Sequence, residues 1–362
     1  MSRDKKQKIL KSDISFGRIN ISQKIIFTKH LAVMLKSGLT ITEALDIIYD
    51  QAKGRFRKII EIIKDSVQSG NSFSASLGKF PKVFSSVLIN SIYVGESSGT
   101  LDENLETVAA NLTKDRELIS KMKNAMFYPM IILFLAFGLG MVMMFLVLPR
   151  IMPLFEGLGL DLPITTRMLI WFSKVISAHG GKIILGIIFF TFFFSWFFKQ
   201  KFTHPATHFL ILKIPIIGDI SRNKNLALFC NTLGTLLKSG LNIDKALDIV
   251  KNAAPNYYYM KSLEVVGSKT GRGMKMSDIL ENYKNLFPSL ATNMIKVGEK
   301  SGRLEETLFY LGDYYEGEVD NSVKKFSTAI EPILLVFIGL LVGGLAMSII
   351  TPIYQLTGNI QR

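Results

Sequence analysis

Residues 95–99, Gly-Glu-Ser-Ser-Gly, have the G-x-S-x-G spacing that in many hydrolases places a nucleophilic serine on a sharp turn between a strand and a helix. A related stretch recurs about two hundred residues later, and there Lys300 stands where Ser97 stands in the first copy. The surrounding pattern also predicts a helix, a turn and a second helix, which is not the context that a nucleophile elbow needs. We therefore expect no catalytic residue in this motif and no enzymatic activity.

The glutamates of the two copies, Glu96 and Glu299, are expected to act locally. We predict that they accept hydrogen bonds from backbone amides at the start of the next helix or pair with a cation. Glycines flank both glutamates and are expected to permit the turn: Gly95, Gly99, Gly298 and Gly302. A second hypothesis stays open, in which the two glutamates form part of a surface that binds a partner protein.

Metal and nucleotide sites are not indicated. His204 and His208 are four residues apart, a spacing that can hold a metal on a helix, but Pro205 lies between them and no third ligand is nearby. We expect polar side chains near a membrane rather than a metal site. No G-x-x-x-x-G-K-[ST] phosphate loop occurs, so neither ATP hydrolysis nor any cofactor is predicted.

Composition favours a membrane protein. The 362 residues are 48% hydrophobic and the mean hydropathy is +0.30, which is high for an ordinary soluble chain. The net charge of +14 is spread over two long segments rather than gathered in one dense tract, so nucleic-acid binding is disfavoured. Cys230 is the single cysteine and is predicted to be a reduced thiol in a helical core.

Three uncharged apolar runs are predicted to cross a lipid bilayer as helices: residues 127–148, 183–198 and 333–350. The middle run is slightly short, but lysines at its ends can extend toward the membrane surfaces. Prolines are expected to mark where the chain passes into or out of the membrane: Pro129, Pro149, Pro332 and Pro352. In the third run, Gly339 and Gly343 form a G-x-x-x-G pattern that favours close helix packing, either within one chain or between subunits.

Lysine and arginine counts predict the orientation. Residues 1–126 hold 20 of the 43 and residues 199–332 hold 18, whereas the connection at 149–182 holds four and the C-terminal tail one. Cytoplasmic flanks of membrane spans carry the excess of these residues. We therefore expect a basic leader at 1–21, cytoplasmic helical domains at 22–126 and 199–332, and a connection and a short tail at 351–362 on the opposite side.

An internal duplication links the two basic segments. Leu-Lys-Ser-Gly-Leu at 35–39 recurs at 237–241 with an offset of 202, and the motif at 94–101 recurs at 297–304 with an offset of 203. One inserted residue between the blocks accounts for the change. Because both copies run into an apolar segment, the repeats are predicted to be parallel, with the middle span returning the chain.

Each copy is predicted to be a helical domain. Apolar residues recur at three- and four-residue spacings up to Gly38, and up to Gly240 in the second copy, where the helix is expected to end in a left-handed conformation. Thr40 and Glu43 then predict a capping box, and Asn242 takes the capping position in the second copy. Further helices are expected at about 56–67, 72–77, 85–96 and from 101 onward. The fold class is therefore an all-α membrane protein with two six-helix bundles and three membrane helices.

These motifs resemble the type II secretion system F domain family over about residues 22–355. The likeness rests on the two Ser-Gly-Leu turns, the two Val-Gly-Glu-x-Ser-Gly-x-Leu turns, Tyr128-Pro129, Glu331-Pro332 and the outer Leu162-Pro163 with two threonines. The resemblance implies a multi-pass protein of the bacterial inner membrane with a cytoplasmic N-terminus and a periplasmic connection and tail. It also implies self-association and partners of three kinds: a hexameric ATPase, pilin or pseudopilin subunits, and other inner-membrane platform components.

The resemblance implies an assembly platform that couples the ATPase to polymerisation of those subunits, in a pilus, secretion or competence system. The alternative is an oligomeric transporter or channel. A transport pathway usually contains ionisable groups within the membrane, and the three runs contain none. An intramembrane enzyme is also disfavoured, because Ser195 and Ser348 have no evident acid or base partner.

Overall fold

The computed structural model describes residues 19–147 and 202–360, together with positions 167, 171, 175, 179, 182, 185–186, 189–194, 197–198 and 200; at 345, 348, 349 and 351–360 it describes the backbone alone. All regular structure in these residues is helical, which confirms the all-α class. The chain divides into two compact units. The repeat unit comprises the described residues of 19–120 and 211–320, and the apolar unit comprises those of 121–210 and 321–360.

Six helices of the first copy correspond one to one with six helices of the second. The first set is α1 Ile21–Lys36, α2 Ile41–Gln51, α3 Gly54–Gln68, α4 Phe73–Gly78, α5 Ser86–Ser98 and α6 Leu101–Val142. After α7, His204–Lys213, the second set is α8 Ile217–Lys238, α9 Ile243–Ala253, α10 Tyr257–Thr270, α11 Met276–Leu280, α12 Ser289–Ser301 and α13 Leu304–Ile360. The inserted residue lies between α9 and α10, where residues 254–256 replace the two-residue connection at 52–53.

The turn from α1 to α2 is built on Gly38, whose φ of 88° places it in the left-handed region where a side chain would be strained. The Leu39 amide donates to the Met34 carbonyl at 3.1 Å, and the Gly38 amide donates to Leu35 at 2.9 Å. This is the Schellman pattern of helix termination. Gly240, with φ of 90°, ends α8 in the same way.

The second helix of each repeat is capped differently. Thr40 and Glu43 form a complete capping box, in which the Thr40 amide donates to Glu43 Oε2 at 2.8 Å. Asn242 occupies the capping position of α9, but its side chain makes no capping hydrogen bond, so the prediction of a side-chain cap there is wrong. Lys245 replaces Glu43 in this copy and cannot complete the box, because an ammonium group offers no acceptor.

Each repeat encloses its own hydrophobic core. In the first, the Phe27 ring lies 5.8 Å from the ring of Phe56 and 5.6 Å from that of Phe84. In the second, Phe229 lies 5.4 Å from Phe287, which aligns with Phe84 in the repeat. Burial of such aromatic and aliphatic side chains is the main stabilising contribution to each bundle.

Two helical segments that continue into the apolar unit are long and apolar enough to cross a membrane, Leu101–Val147 and Leu304–Gly344. The first includes a π-helical stretch, Met143–Val147, directly after α6. Within this unit, side chains of α6 and α13 line an apolar cleft: Leu133, Phe134, Phe137, Phe337 and Leu341.

The prolines do not end these helices in the described residues. Pro129 lies inside α6, and Pro332 and Pro352 lie inside α13. A Cβ atom built on Gly339 or Gly343 would meet no described atom within 4 Å. The described positions of 183–198 are helical, whereas Pro149 and most of the 149–182 connection lie outside the described residues, as does most of the 1–21 leader.

Candidate functional site

The Glu96 carboxylate, near the end of α5, binds the first turn of the short helix α4. Phe73 N–H donates to Glu96 Oε1 at 2.5 Å, and Ser74 N–H donates to Glu96 Oε2 at 3.0 Å. The Ser74 hydroxyl also donates to Oε2 in a very short hydrogen bond. The carboxylate thus satisfies amides that have no acceptor within their own helix.

Glu299 repeats this arrangement in the second copy. Met276 N–H and Ser277 N–H donate to its two carboxylate oxygens at 2.8 and 3.2 Å, and the Ser277 hydroxyl donates at 2.5 Å. In both copies the capped helix precedes the glutamate by more than twenty residues. The expectation that Glu96 and Glu299 cap the next helix is therefore wrong, because both carboxylates turn back toward α4 and α11.

The glycine before each glutamate allows two helices to approach closely. A Cβ atom on Gly95 would lie 2.8 Å from Leu101 Cα, and one on Gly298 would lie 2.8 Å from Thr307 Oγ1 and 3.1 Å from Leu304 Cα. The 2.8 Å approach to the Leu101 backbone is closer than Cβ atoms come in folded proteins, and the 3.1 Å approach to Leu304 Cα is tighter than most. The first turns of α6 and α13 can therefore pack directly against α5 and α12.

The second glycine of each motif ends the helix. Gly99 and Gly302 have φ values of 76° and 71°, in the left-handed region. Ser97 lies inside α5, and its hydroxyl donates to the Tyr93 carbonyl at 2.9 Å, so it is not on a nucleophile elbow. Together, the two glycines and the glutamate fix α4, α5 and the start of α6 as one assembly.

Contact between the repeats occurs inside the repeat unit. The helix α5 of the first copy lies against α8 and α9 of the second, and a Cβ atom on Gly240 would lie 3.5 Å from Val94 Cγ1. Beside this contact is an open cleft of about 600 Å³. Its lining combines apolar, amide and charged side chains: Asn90, Tyr93, Val94, Gly240, Leu241, Asn242, Asp244, Lys245, Asp248 and Ile249.

Polar bonds join the repeats next to the cleft. Asn111 of α6 donates to the Asn231 carbonyl at 3.3 Å and, in a very short bond, to the Thr235 hydroxyl. Lys114 forms an ion pair with Asp313 of α13. Within the second repeat, the Asn231 side chain donates to Glu316 Oε1 at 2.6 Å.

Asp115 lies at this contact and is partly buried. Its pKa is raised to about 6, chiefly because of loss of hydration and also because of the negative charge of Glu316, while the positive charge of Lys224 opposes both effects. Asp115 is therefore a carboxyl group that changes charge close to neutral pH.

The residues that form the contact between the repeats were not identified from the sequence, although a signal existed. Where α1 has Lys29, His30 and Val33, the matching positions of α8 are Asn231, Thr232 and Thr235, all buried. The replacement of a lysine, a histidine and a valine by one buried amide and two buried hydroxyls indicates that this helix face has gained a neighbour.

Neither the described histidines nor the cysteine form a reactive site. His204 and His208 stack with ring centroids 5.2 Å apart, and burial lowers the pKa of His208. The described residues contain no group of three or more side chains that could hold a metal ion. Cys230 is fully buried and unpaired, as predicted, and burial raises the pKa of its thiol.

Both repeats match the sequence profile of a known protein family. The sequence profile described as "Type II secretion system (T2SS), protein F" matches the chain twice, over residues 27–149 and 229–352. The chain belongs to this family. The two matched segments begin 202 residues apart and end 203 residues apart, as the internal duplication does.

Relatives align with nearly the whole chain. A "Type IV pilus assembly protein PilC" from Thermus thermophilus is 33% identical over 92% of this chain and 82% of the relative. One of the same description from Myxococcus xanthus is 33% identical over 99% of this chain and 86% of the relative. A "Type II secretion system protein F" from Aeromonas hydrophila is 29% identical over 94% and 87%, respectively. These descriptions name assembly and secretion components and no enzymatic activity.

Proposed function

We propose that this chain is an inner-membrane assembly platform that couples a cytoplasmic hexameric ATPase to the polymerisation of pilin or pseudopilin subunits. The names of the relatives support a role in a type IV pilus or type II secretion machine. The observation that carries the proposal is that each repeat ends in one unbroken helix. The helices α6 and α13 begin in a folded bundle and continue into a membrane-length apolar segment.

Such a helix is suited to transmit a mechanical displacement. Leu105 and Val108 anchor the start of α6 in the first core, and Leu308 and Leu311 anchor α13 in the second. An α-helix resists bending where consecutive turns are held by backbone hydrogen bonds, and no proline interrupts α6 between Leu101 and Pro129 or α13 between Leu304 and Pro332. A displacement that the ATPase imposes on the bundle would therefore reach the end of this stretch, where each apolar segment begins.

The proposed topology places the N-terminus and both helical domains in the cytoplasm. The basic flanks support it, since lysines precede the first and third predicted spans and follow the second. The chain has no phosphate-loop motif of its own, so the energy source in this proposal is a separate protein. Lipid, the ATPase, the pilin-type subunit and further platform components are its proposed partners.

A variant that breaks helix α6 tests mechanical coupling through this helix separately from binding of the ATPase. Asn124 is an exposed residue of α6 between the bundle and the apolar segment. Asn124→Pro removes a helix hydrogen bond and forces a kink, whereas Asn124→Ala preserves the helix. Both variants are expressed in cells that lack the native chain, and fibre or secretion output is measured together with co-purification of the ATPase.

We expect Asn124→Pro to retain the ATPase and to lose most of the fibre or secretion output, and Asn124→Ala to behave as the wild type. Cells without the chain should keep pilin-type subunits unpolymerised in the membrane. Normal output from those cells, or failure of the wild-type chain to co-purify the ATPase, would contradict the proposal.

A further inference from the structure

The same helix face is partly buried in the first repeat and exposed in the second. In the first repeat, α5 lies against the second repeat, and Val87, Asn90 and Val94 on this face are partly buried. The aligned residues of α12, which we call the α12 face, are Leu290, Asn293 and Val297. Here Leu290 is 44% exposed and Val297 is 58% exposed. The α12 face keeps the apolar and amide chemistry of the α5 face but lacks the neighbour.

The surface that receives this helix face is likewise buried in one repeat and exposed in the other. In the second repeat, the end of α8 and the start of α9 receive α5, and Thr235 is fully buried while Ile249 is 9% exposed. The aligned surface in the first repeat, which we call the α1–α2 face, contains Val33, Leu39 and Ile47. Val33 is 57% exposed and Ile47 is 39% exposed.

The contact between the repeats is therefore heterologous, since one repeat contributes the α5 face and the other contributes the α8–α9 surface. A pseudo-two-fold contact would have buried all four surfaces. Instead, one chain carries two complementary surfaces that remain exposed: the α12 face and the α1–α2 face. Exposed apolar residues that have buried counterparts in a duplicate domain indicate an interface.

We propose that the α12 face of one copy docks on the α1–α2 face of a second copy and repeats between chains the contact that the two repeats make within one chain. This inference names the surface and the partner, a second copy of this chain, and does not depend on the proposed function.

The polar residues at the edge of the contact change in a matching way. The hydrogen-bonded pair Asn111 and Thr235 is replaced, in the proposed contact, by Tyr314 and Val33. Tyr314 is 41% exposed, so both members of the replaced pair are exposed and can pack apolar atoms against each other. Neither member leaves a buried polar group without a partner.

Charged residues change in the same coordinated way. Lys114 and Asp313 form an ion pair between the repeats. In the proposed contact Gly317 stands at the position of Lys114 and Ala110 at that of Asp313, so neither charge is left without a partner. Lys245 of the receiving surface is replaced by Glu43, while Tyr93 on the docking face is replaced by Lys296. Both groups already have partners within the chain, because Glu43 accepts from Thr40 in the capping box and Lys296 forms ion pairs with Asp278 and Glu281, so the exchange adds no unpaired charge to the proposed contact.

Head-to-tail docking of this kind generates a ring or an open array, whereas a two-fold contact generates a closed pair. Cross-linking of mixed single-cysteine variants distinguishes the two. In the full-length chain with Cys230→Ala, Val297→Cys is placed in one tagged copy and Leu39→Cys in a second copy with a different tag. The two are co-expressed, and membranes are treated with a short bis-maleimide.

We expect a product that carries both tags when the two variants are mixed, and no product from either variant alone. A chain with both cysteines should give a ladder beyond the dimer. The control is a chain with Val94→Cys and Leu241→Cys, which should cross-link within itself because these residues flank the existing contact. Adding Leu290→Glu to the tagged pair should abolish the mixed product, whereas adding it to the chain with Val94→Cys and Leu241→Cys should leave the intrachain product unchanged.

Three outcomes would overturn the inference. The first is a product from Val297→Cys alone or Leu39→Cys alone, which would show a two-fold contact. The second is no mixed product although the intrachain control cross-links fully. The third is a cross-link from Val297→Cys to a different protein, such as an ATPase, which would assign the α12 face to that partner.

Discussion

At the scale of single residues, the glutamate of each Val-Gly-Glu motif holds a short helix in place. Glu96 and Glu299 reach back to α4 and α11 with matching sets of three hydrogen bonds. A six-residue or five-residue helix cannot supply acceptors for its first amides and is marginal without help. The structure thus supports a structural role for both carboxylates, and their role in binding a partner stays a prediction.

Replacing the carboxylate tests this role. In Glu299→Gln the amide nitrogen would face a backbone N–H donor, so at least one hydrogen bond is lost and the charge that strengthens the others is removed. We expect a loss of about 1–3 kcal/mol in the free energy of unfolding of the second domain. Circular dichroism during thermal unfolding of the detergent-purified chain measures it.

The matched control is Glu61→Gln, at an exposed position on α3, which should unfold as the wild type does. If Glu299→Gln kept full stability and yet lost assembly activity, the residue would act in partner binding instead.

Asp115 should make the stability of the repeat unit depend on pH. Its pKa rises from 3.8 to about 6 in the folded chain, so the folded state binds the proton more tightly than the unfolded state. The stabilisation of the folded state is therefore complete below pH 4 and is lost as the pH rises through 6. Asp115→Asn removes the charge, so we expect it to be more stable than the wild type by about 3 kcal/mol at pH 7.5, at about 1.4 kcal/mol per pKa unit, and close to the wild type at pH 4.

Unfolding midpoints of both proteins between pH 4 and pH 8 provide the test. Parallel pH profiles for Asp115→Asn and the wild type would show that this carboxyl does not titrate in that range.

At the scale of elements, much of the architecture follows from local sequence. The turn at Gly38, the capping box at Thr40 and the helix starting at Leu101 were all predictable, because each depends on residues within one or two turns. The target of Glu96 was not, because the capped amides lie 22 and 23 residues away in sequence. Lys245 accounts for the missing return bond of a capping box at α9, whereas nothing in the structure explains why the Asn242 side chain makes no capping hydrogen bond.

Substitution of the glycine that precedes each glutamate tests the close helix approach. In Gly95→Ala the new methyl group would lie 2.8 Å from Leu101 Cα, a backbone atom that cannot rotate away. We expect a loss of about 1–3 kcal/mol, typical of overpacking. Gly298→Ala first meets the Thr307 side chain, so adding Thr307→Ala should restore part of its stability.

Thermal unfolding of these variants is compared with that of Gly78→Ala, where a Cβ atom meets nothing within 4 Å. Equal midpoints for Gly95→Ala and Gly78→Ala would mean that the two helices do not need direct backbone contact.

At the scale of the whole molecule, duplication explains both the similarity and the difference of the repeats. The sequence predicted two parallel helical copies, and the family profile matches each of them. It did not predict that the copies pack together, because aligned motifs such as the two Ser-Gly-Leu turns look alike whether buried or exposed. Ser239 is buried at the contact between the repeats, while the aligned Ser37 is exposed. Only the surrounding structure separates these two environments.

The proposed topology places both helical domains on the cytoplasmic side of one membrane. Glu61 and Glu264 are exposed and occupy aligned positions on α3 and α10, so Glu61→Cys and Glu264→Cys in a Cys230→Ala background report on the two domains separately. Ser177→Cys reports on the predicted outer connection. Intact spheroplasts are treated with a membrane-impermeant maleimide before and after permeabilisation. We expect Ser177→Cys to be labelled at once and both domain cysteines to be labelled only after permeabilisation; labelling of one domain cysteine in intact spheroplasts would rule this topology out.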